Sequence, residues 1–185
     1  MDSMITLSSV LVSVLICFVI GVPLGIIASY NKWYRDIQNV VLDAMQTLPY
    51  FCYLIPVLMF FGWNIVSAVI ATVIYAVPPI IRLTALGLSQ VSGSYSEVSR
   101  SFGGTGIQTL NKVKFPLAVP SLVMGFNQTV IMAFAMQIVT PLIGGKGLGL
   151  QVFNALQRSD TGRGLSAGLA IVLLAIIIDR ISHAW

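Results

Sequence analysis

Two stretches of this chain carry no formal charge for at least the length of a membrane crossing: residues 3–31 and residues 44–81. Two more, residues 115–145 and 164–178, are likewise uncharged. A run of 18 or more mostly apolar residues closes its own backbone hydrogen bonds as a helix and can cross a bilayer. Only 9% of the side chains are charged and 57% are apolar, against about 25% charged in an ordinary soluble domain. The mean hydropathy is +0.92. These values exclude a soluble globular domain, a disordered chain and a disulfide-rich secreted module. The 185 residues suffice for about five spans of about 20 residues. The expectation is an all-α polytopic membrane protein with five transmembrane helices, with any water-soluble catalytic machinery on another chain.

The spans are expected at about residues 4–30, 37–61, 65–81, 116–143 and 164–181, within one domain covering residues 1–185. Gly21-Val22-Pro23-Leu24-Gly25 marks a kink and close-packing site in the first. Gly62-Trp63-Asn64 turns the second into the third, and Pro49, Pro56, Pro78 and Pro79 predict kinked helices. The fifth span is the weakest, because Gly164–Ile178 gives only about 22 Å of helix before Asp179 and Arg180. Residues 89–115 are too polar for lipid and form a loop. Cys17 and Cys52 sit in apolar runs and read as small buried residues. Met1-Asp2-Ser3 lacks the basic start of a signal peptide, and the first apolar run, too long for one, is expected to be retained.

With five spans, one side of the membrane holds Lys32, Arg35, Arg82, Arg100, Lys112, Lys114 and Arg180, and the other Lys146, Arg158 and Arg163. The positive-inside bias places the 82–115 loop and the C-terminus in the cytoplasm and the N-terminus outside. The sparse charges between apolar runs are explained by topology, not by nucleic-acid binding.

Ser96–Pro120 is the most specific segment. It reads as a short helix, a break at Gly103, Gly104 and Gly106, a basic helical piece, and Pro116 opening the next span. A helix so placed either docks into a partner's groove or is an ordinary solvated loop. In the second span Asp43, Gln46, Thr47 and Tyr50 share one helical face. They line a pathway, or Asp43 is an interfacial carboxylate paired with a nearby Lys or Arg. In the fourth span Met124, Gln128, Met132 and Met136 recur at every fourth position beside Asn127. That pattern fits an adaptable lining or helix packing through amide hydrogen bonds. Tyr50, Phe51, Tyr53 and Trp63 offer aromatic faces for a quaternary ammonium group, or an interfacial belt. Gly144, Gly145, Gly147 and Gly149 form an outer turn, either a gate or docking surface or a seat for a re-entrant helix.

Three motif matches are set aside. Gly145-Lys146 is followed by Gly147, not the Ser or Thr of a phosphate-binding loop. Gly164-Leu165-Ser166-Ala167-Gly168 fits a serine nucleophile pattern, but it opens a helix and the single histidine, His183, lies about 25 Å further along it. Asn127-Gln128-Thr129 fits a glycosylation acceptor but lies in a span.

Glu97-Val98-Ser99, then Gly103, then Val113-x-Phe115-Pro116, resembles the EAA motif of ABC-importer permeases, with Val98 and Ser99 replacing the two alanines. Leu42–Pro49, Tyr53–Pro56, Pro78–Thr84, Asn127–Thr129 and Ala155–Arg158 resemble the glycine betaine/proline betaine branch of that family. The resemblance implies a permease subunit for osmolytes such as glycine betaine, proline betaine, choline or trimethylamine N-oxide. It implies a bacterial or archaeal cytoplasmic membrane, a second copy of the chain, two cytoplasmic ATPase subunits and an extracytoplasmic solute-binding protein. It also implies that the chain is no enzyme and carries no cofactor or metal, ATP and magnesium belonging to the partner ATPase. Glu97, Val98, Ser99, Arg100, Gly103 and Pro116 become the candidate ATPase-coupling residues. A permease for another small solute such as an amino acid, and a passive osmotic channel, are the alternatives.

Overall fold

The computed structural model describes residues 1–183, and their backbone is helical with short connections. Helix α1 (Asp2–Tyr30) and the return helix α4 (Ile65–Gln90) pack along most of their length. Small residues permit this: a Cβ on Gly25 would stand 2.6 Å from Thr84 Cβ and 2.7 Å from the Ile81 carbonyl oxygen. Such backbone-close packing replaces the hydrophobic driving force that helices lack in lipid. On its other side α4 meets α7 (Phe115–Met136), where Gly87 lies against Ser121 and Ala118. Helix α4 is therefore the central helix, and Val14, Cys17, Ile80, Leu88, Leu122, Val130 and Phe134 form the core around it. The last helix, α9 (Thr161–His183), lies at the edge. It buries Ala167 and Ile171 but exposes Leu165, Leu169, Leu173, Ile176 and Ile177, a face suited to lipid.

Four helical stretches are long and apolar enough to cross a membrane: Asp2–Tyr30, Ile65–Gln90, Gly106–Met136 and Thr161–Ser182. The second expected span, 37–61, is not one kinked helix. It is α2 (Lys32–Thr47) and α3 (Phe51–Phe61), bent by 94°. Leu48 precedes Pro49, which disfavours helical backbone at Leu48, and its ψ of 133° ends α2 there. The break leaves α2's last carbonyls without helical partners. Tyr53, buried on α3, donates its hydroxyl to the Met45 carbonyl, with the Leu48 carbonyl 3.3 Å away.

Other boundaries shift for identifiable reasons. The third helix runs to Gln90, past the expected 81, carrying Pro78 and Pro79 inside it. The fourth ends at Met136 and continues as a turn into a 3-10 segment, Thr140–Ile143, because Pro141 has no N–H for a continuing helix. Within 89–115 the two helical pieces expected on either side of the glycine break are Gly93–Ser101 and a second that runs from Gly106 through Lys114. Cys17 is buried as expected, whereas Cys52 is exposed beside the break.

Candidate functional site

The coupling segment is a braced corner. Helix α5 (Gly93–Ser101) stops where Gly103 takes a φ of 78°, a left-handed conformation open to glycine at little cost. Gly103 N–H donates to the Arg100 carbonyl at 2.8 Å and Gly104 N–H to the Ser99 carbonyl at 2.9 Å. Thr105 and Gln108 then form a reciprocal capping box that starts α6 (Gly106–Thr109). The two arms are tied together by hydroxyls. Thr109 donates to the Thr105 carbonyl at 3.0 Å, so Ser99 is the donor in the 2.8 Å bond between Ser99 Oγ and Thr109 Oγ1. Ser99 is thus a brace, and Gly103 is the corner it holds.

From α6 the chain runs through a π-helical turn, Leu110–Lys114, directly into α7. The Phe115 N–H reaches back five residues to the Leu110 carbonyl, and the wider turn stands just ahead of Pro116, which has no N–H to donate. Pro116 therefore does not open a separate span, as the sequence suggested. It sits in a continuous stretch, Gly106–Met136, so displacement of the corner is transmitted along one helix.

Glu97, Val98 and Arg100 project from α5 into solvent, with Ser99 turned inward. Tyr95, Val98, Phe102 and Ile107 are all exposed, Phe102 by 88% and Ile107 by 74%. These residues stand on a segment too polar for lipid, where single exposed apolar side chains are ordinary but a cluster marks an interaction surface. The segment lies at the end of the bundle reached by the C-terminus of α1, since Lys114 Nζ stands 4.9 Å from the centre of the Tyr30 ring.

The polar stripe does not lie on one helix: Asp43, Gln46 and Thr47 are on the surface of α2, whereas Tyr50 stands past the break as the N-cap of α3. Asp43, Gln46, Thr47 and Tyr50 are all exposed, and Asp43 Oδ1 lies 2.7 Å from a guanidinium nitrogen of Arg82. The sequence places Arg82 at the start of the cytoplasmic loop, yet it stands inside α4. A signal for the pair was present: Asp43 and Arg82 bound the uncharged stretch and are equidistant from the Gly62-Trp63 turn. The fourth-span candidates divide, with Asn127 and Met136 buried, Met132 half-buried, and Gln128 and Met124 exposed. The aromatic residues also divide. Tyr50 and Phe51 touch each other, Tyr53 meets Tyr75, and Trp63 stands beside Gly144.

The glycine-rich turn lies at the opposite end. Gly144, Gly145, Gly147 and Gly149 are buried and only Lys146 among them is exposed. Gly147 has a φ of 93°, and beyond it the Leu148 N–H donates to Thr6 Oγ1 at 2.8 Å. Gln151 Nε2 donates to Asp2 at 2.9 Å. This turn seats α8 (Leu148–Gln157) on the start of α1 and leaves little glycine surface for a partner. In the rejected serine motif, Ser166 Oγ donates to the Arg163 carbonyl at 3.0 Å within α9, an ordinary helical hydroxyl bond. Sequence reasoning also passed over Gln137, a buried residue whose side-chain nitrogen has no partner.

A family model described as binding-protein-dependent transport system inner membrane component matches residues 21–184. The chain is 47% identical to the glycine betaine/carnitine transport permease protein GbuB of Listeria monocytogenes, covering 97% of this chain and 64% of that protein. It is 45% identical to the glycine betaine transport system permease protein OpuAB of Bacillus subtilis, covering 96% of this chain and 63% of that protein. It is 46% identical to the glycine betaine/proline betaine transport system permease protein ProW of Escherichia coli, covering 99% and 52%. The chain thus spans between half and two thirds of the length of these curated relatives. Among solved structures, an inward-facing MetNI methionine ABC transporter superimposes with a TM-score of 0.84 at 24% identity, over 97% of this chain and 92% of that one. That likeness concerns the fold.

Proposed function

The chain belongs to the family of binding-protein-dependent transport system inner membrane components, and on that premise we propose that it is the permease subunit of an ATP-driven osmolyte importer. The solute class is compact and dipolar or cationic: glycine betaine, proline betaine, choline or trimethylamine N-oxide. The names of the relatives at 45–47% identity support this class. The chain itself performs no chemistry. ATP and magnesium act on a separate ATPase, and an extracytoplasmic binding protein delivers the solute. The single observation that carries the reading is the braced corner at Gly103 with its exposed apolar residues Val98, Phe102 and Ile107.

Closure of the ATPase on α5 would push this corner. Because α6 continues into α7 without a break, and α7 packs on α4, the push moves two spans as one body, a two-state rearrangement of rigid elements. Asp43, Gln46, Thr47 and Tyr50 lie on the outside of a single chain. A second copy facing them would enclose a path, which supports a homodimer with Gln128 and Met132 as further lining candidates. Asn127, being buried, serves helix packing in this reading. At the other end, Lys146 and the α8–α9 turn are the surface offered to a binding protein, with the four glycines shaping it from beneath.

Uptake of labelled glycine betaine into vesicles containing the assembled transporter tests the proposal. Uptake should require ATP and the binding protein, and Glu97→Lys should leave the permease inserted while ATP hydrolysis no longer drives uptake. Flux without nucleotide would identify a passive channel, and coupled uptake at the normal rate in Glu97→Lys would remove α5 from the coupling path.

A further inference from the structure

Beside the coupling corner is a small cavity of about 60 Å³, lined by Tyr30, Ser96, Arg100, Gly106, Thr109 and Lys114. Two of the six residues are cations and none is an acid. Glu97, the nearest carboxylate in sequence, does not line it. Neither Arg100 nor Lys114 is in an ion pair; the pairs among the described residues include Asp43–Arg82 and Asp160–Arg163. Lys114 is half-buried and held over the Tyr30 ring. Two unpaired cations facing one small cavity repel each other, and an anion between them relieves that repulsion. The room available is more than a single water needs and admits a tetrahedral oxyanion.

The depth of the cavity selects the source. Tyr30 is the last residue of the spanning helix α1. Trp33, 73% exposed, and Tyr34 follow at once, flanked by Lys32 and Arg35. Aromatic rings beside Lys and Arg mark the interface, where lipid phosphates lie. We propose that the cavity between the end of α1, α5 and the start of α7 binds the phosphate group of an anionic phospholipid. Arg100 and Lys114 supply charge, Ser96 a hydroxyl donor, and the acyl chains lie along α1 in the adjacent leaflet. The site would anchor the coupling corner to the membrane surface, a role separate from solute passage and from docking by Val98 and Phe102.

Native mass spectrometry of the transporter, purified with its partners from membranes containing equal phosphatidylglycerol and phosphatidylcholine, tests this. One phosphatidylglycerol per permease chain should be retained in preference to phosphatidylcholine. Lys114→Gln and Arg100→Gln should each weaken retention about fivefold, the fold-change of one basic contact near an anionic surface. Lys114→Arg should restore it, and Lys146→Gln at the opposite end should leave it unchanged. Equal retention of both lipids, or retention unmoved by Lys114→Gln and Arg100→Gln, would overturn the proposal. So would displacement of the lipid by millimolar inorganic phosphate, which would mark a free-anion site. Loss of the ATPase in Lys114→Gln with lipid retention intact would show that the cavity holds a partner carboxylate instead.

Discussion

At the scale of single residues, Asp43 and Arg82 are the informative pair. Their side chains are 62% and 39% exposed, and the 2.7 Å contact joins α2 to α4. An ion pair this open contributes about 0.2–1 kcal/mol. Its two halves are not equivalent, because the Arg82 side chain is the more buried, with Nε out of reach of solvent, whereas Asp43 is open to it. Asp43→Asn therefore strands a partly buried guanidinium, and Arg82→Gln strands only an open carboxylate. In thermal melts of the purified protein, Asp43→Asn should be the more destabilising substitution, and a double-mutant cycle should return a coupling of about 0.5–1 kcal/mol. Equal effects with no coupling would show that the contact does not hold α2 to α4. Much of this was legible in the sequence, where a carboxylate in a span suggested a nearby cation. What sequence could not supply was the length of α4, since the charge of Arg82 marks the end of the apolar run, whereas the helix continues past it to Gln90.

At the scale of elements, the coupling corner was the most legible part, because its signals are local. A glycine cluster needs no tertiary context to break a helix, and the Thr105–Gln108 box is a four-residue motif. The brace between Ser99 and Thr109 was not legible, since two hydroxyls ten residues apart meet only once the corner has formed. The brace makes a specific demand on Gly103. No atom lies within 4 Å of where its Cβ would stand, so a side chain there meets only the backbone penalty of a left-handed φ, about 1–2 kcal/mol. Gly103→Ala should lower the melting midpoint slightly while weakening the coupling of ATP hydrolysis to uptake several-fold, because the angle between α5 and α6 changes. Ser99→Ala should show the same uncoupling in milder form. Normal coupling in both, measured as solute moved per ATP hydrolysed, would mean that the corner's angle is irrelevant. The bend between α2 and α3 lies at the other extreme. Pro49 announces a break, but 94° depends on α3 packing against α4 and on Tyr53 reaching back to the Met45 carbonyl. Those are long-range facts, and a proline alone predicts only a kink.

At the scale of the whole molecule, the two ends of the bundle differ in charge. Lys114, Arg100 and the end of α1 gather at one end, while Asp2, Thr6 and the buried glycine turn gather at the other. For the glycine turn the sequence left two readings open, a gate or docking surface and a seat for a helix, because four glycines in six residues do not say whether they serve freedom or space; their burial shows that they serve space. A Cβ at Gly145 would stand 2.6 Å from Thr140 Oγ1, so the turn is closely packed and its exposed rim, Lys146, is what can meet a partner. The positive-inside rule predicts that the Lys114 end faces the cytosol, and the proposed coupling role depends on it, since an ATPase can grip α5 only from that side. Cysteine replacements at two exposed lysines test this directly in a background lacking Cys52. Lys146→Cys should react with a membrane-impermeant maleimide on intact cells, and Lys112→Cys only after the membrane is opened. The reverse pattern would put the braced corner outside, where no nucleotide-driven partner can reach it. Both substitutions are at exposed positions and should insert normally, so labelling reports orientation and not misfolding.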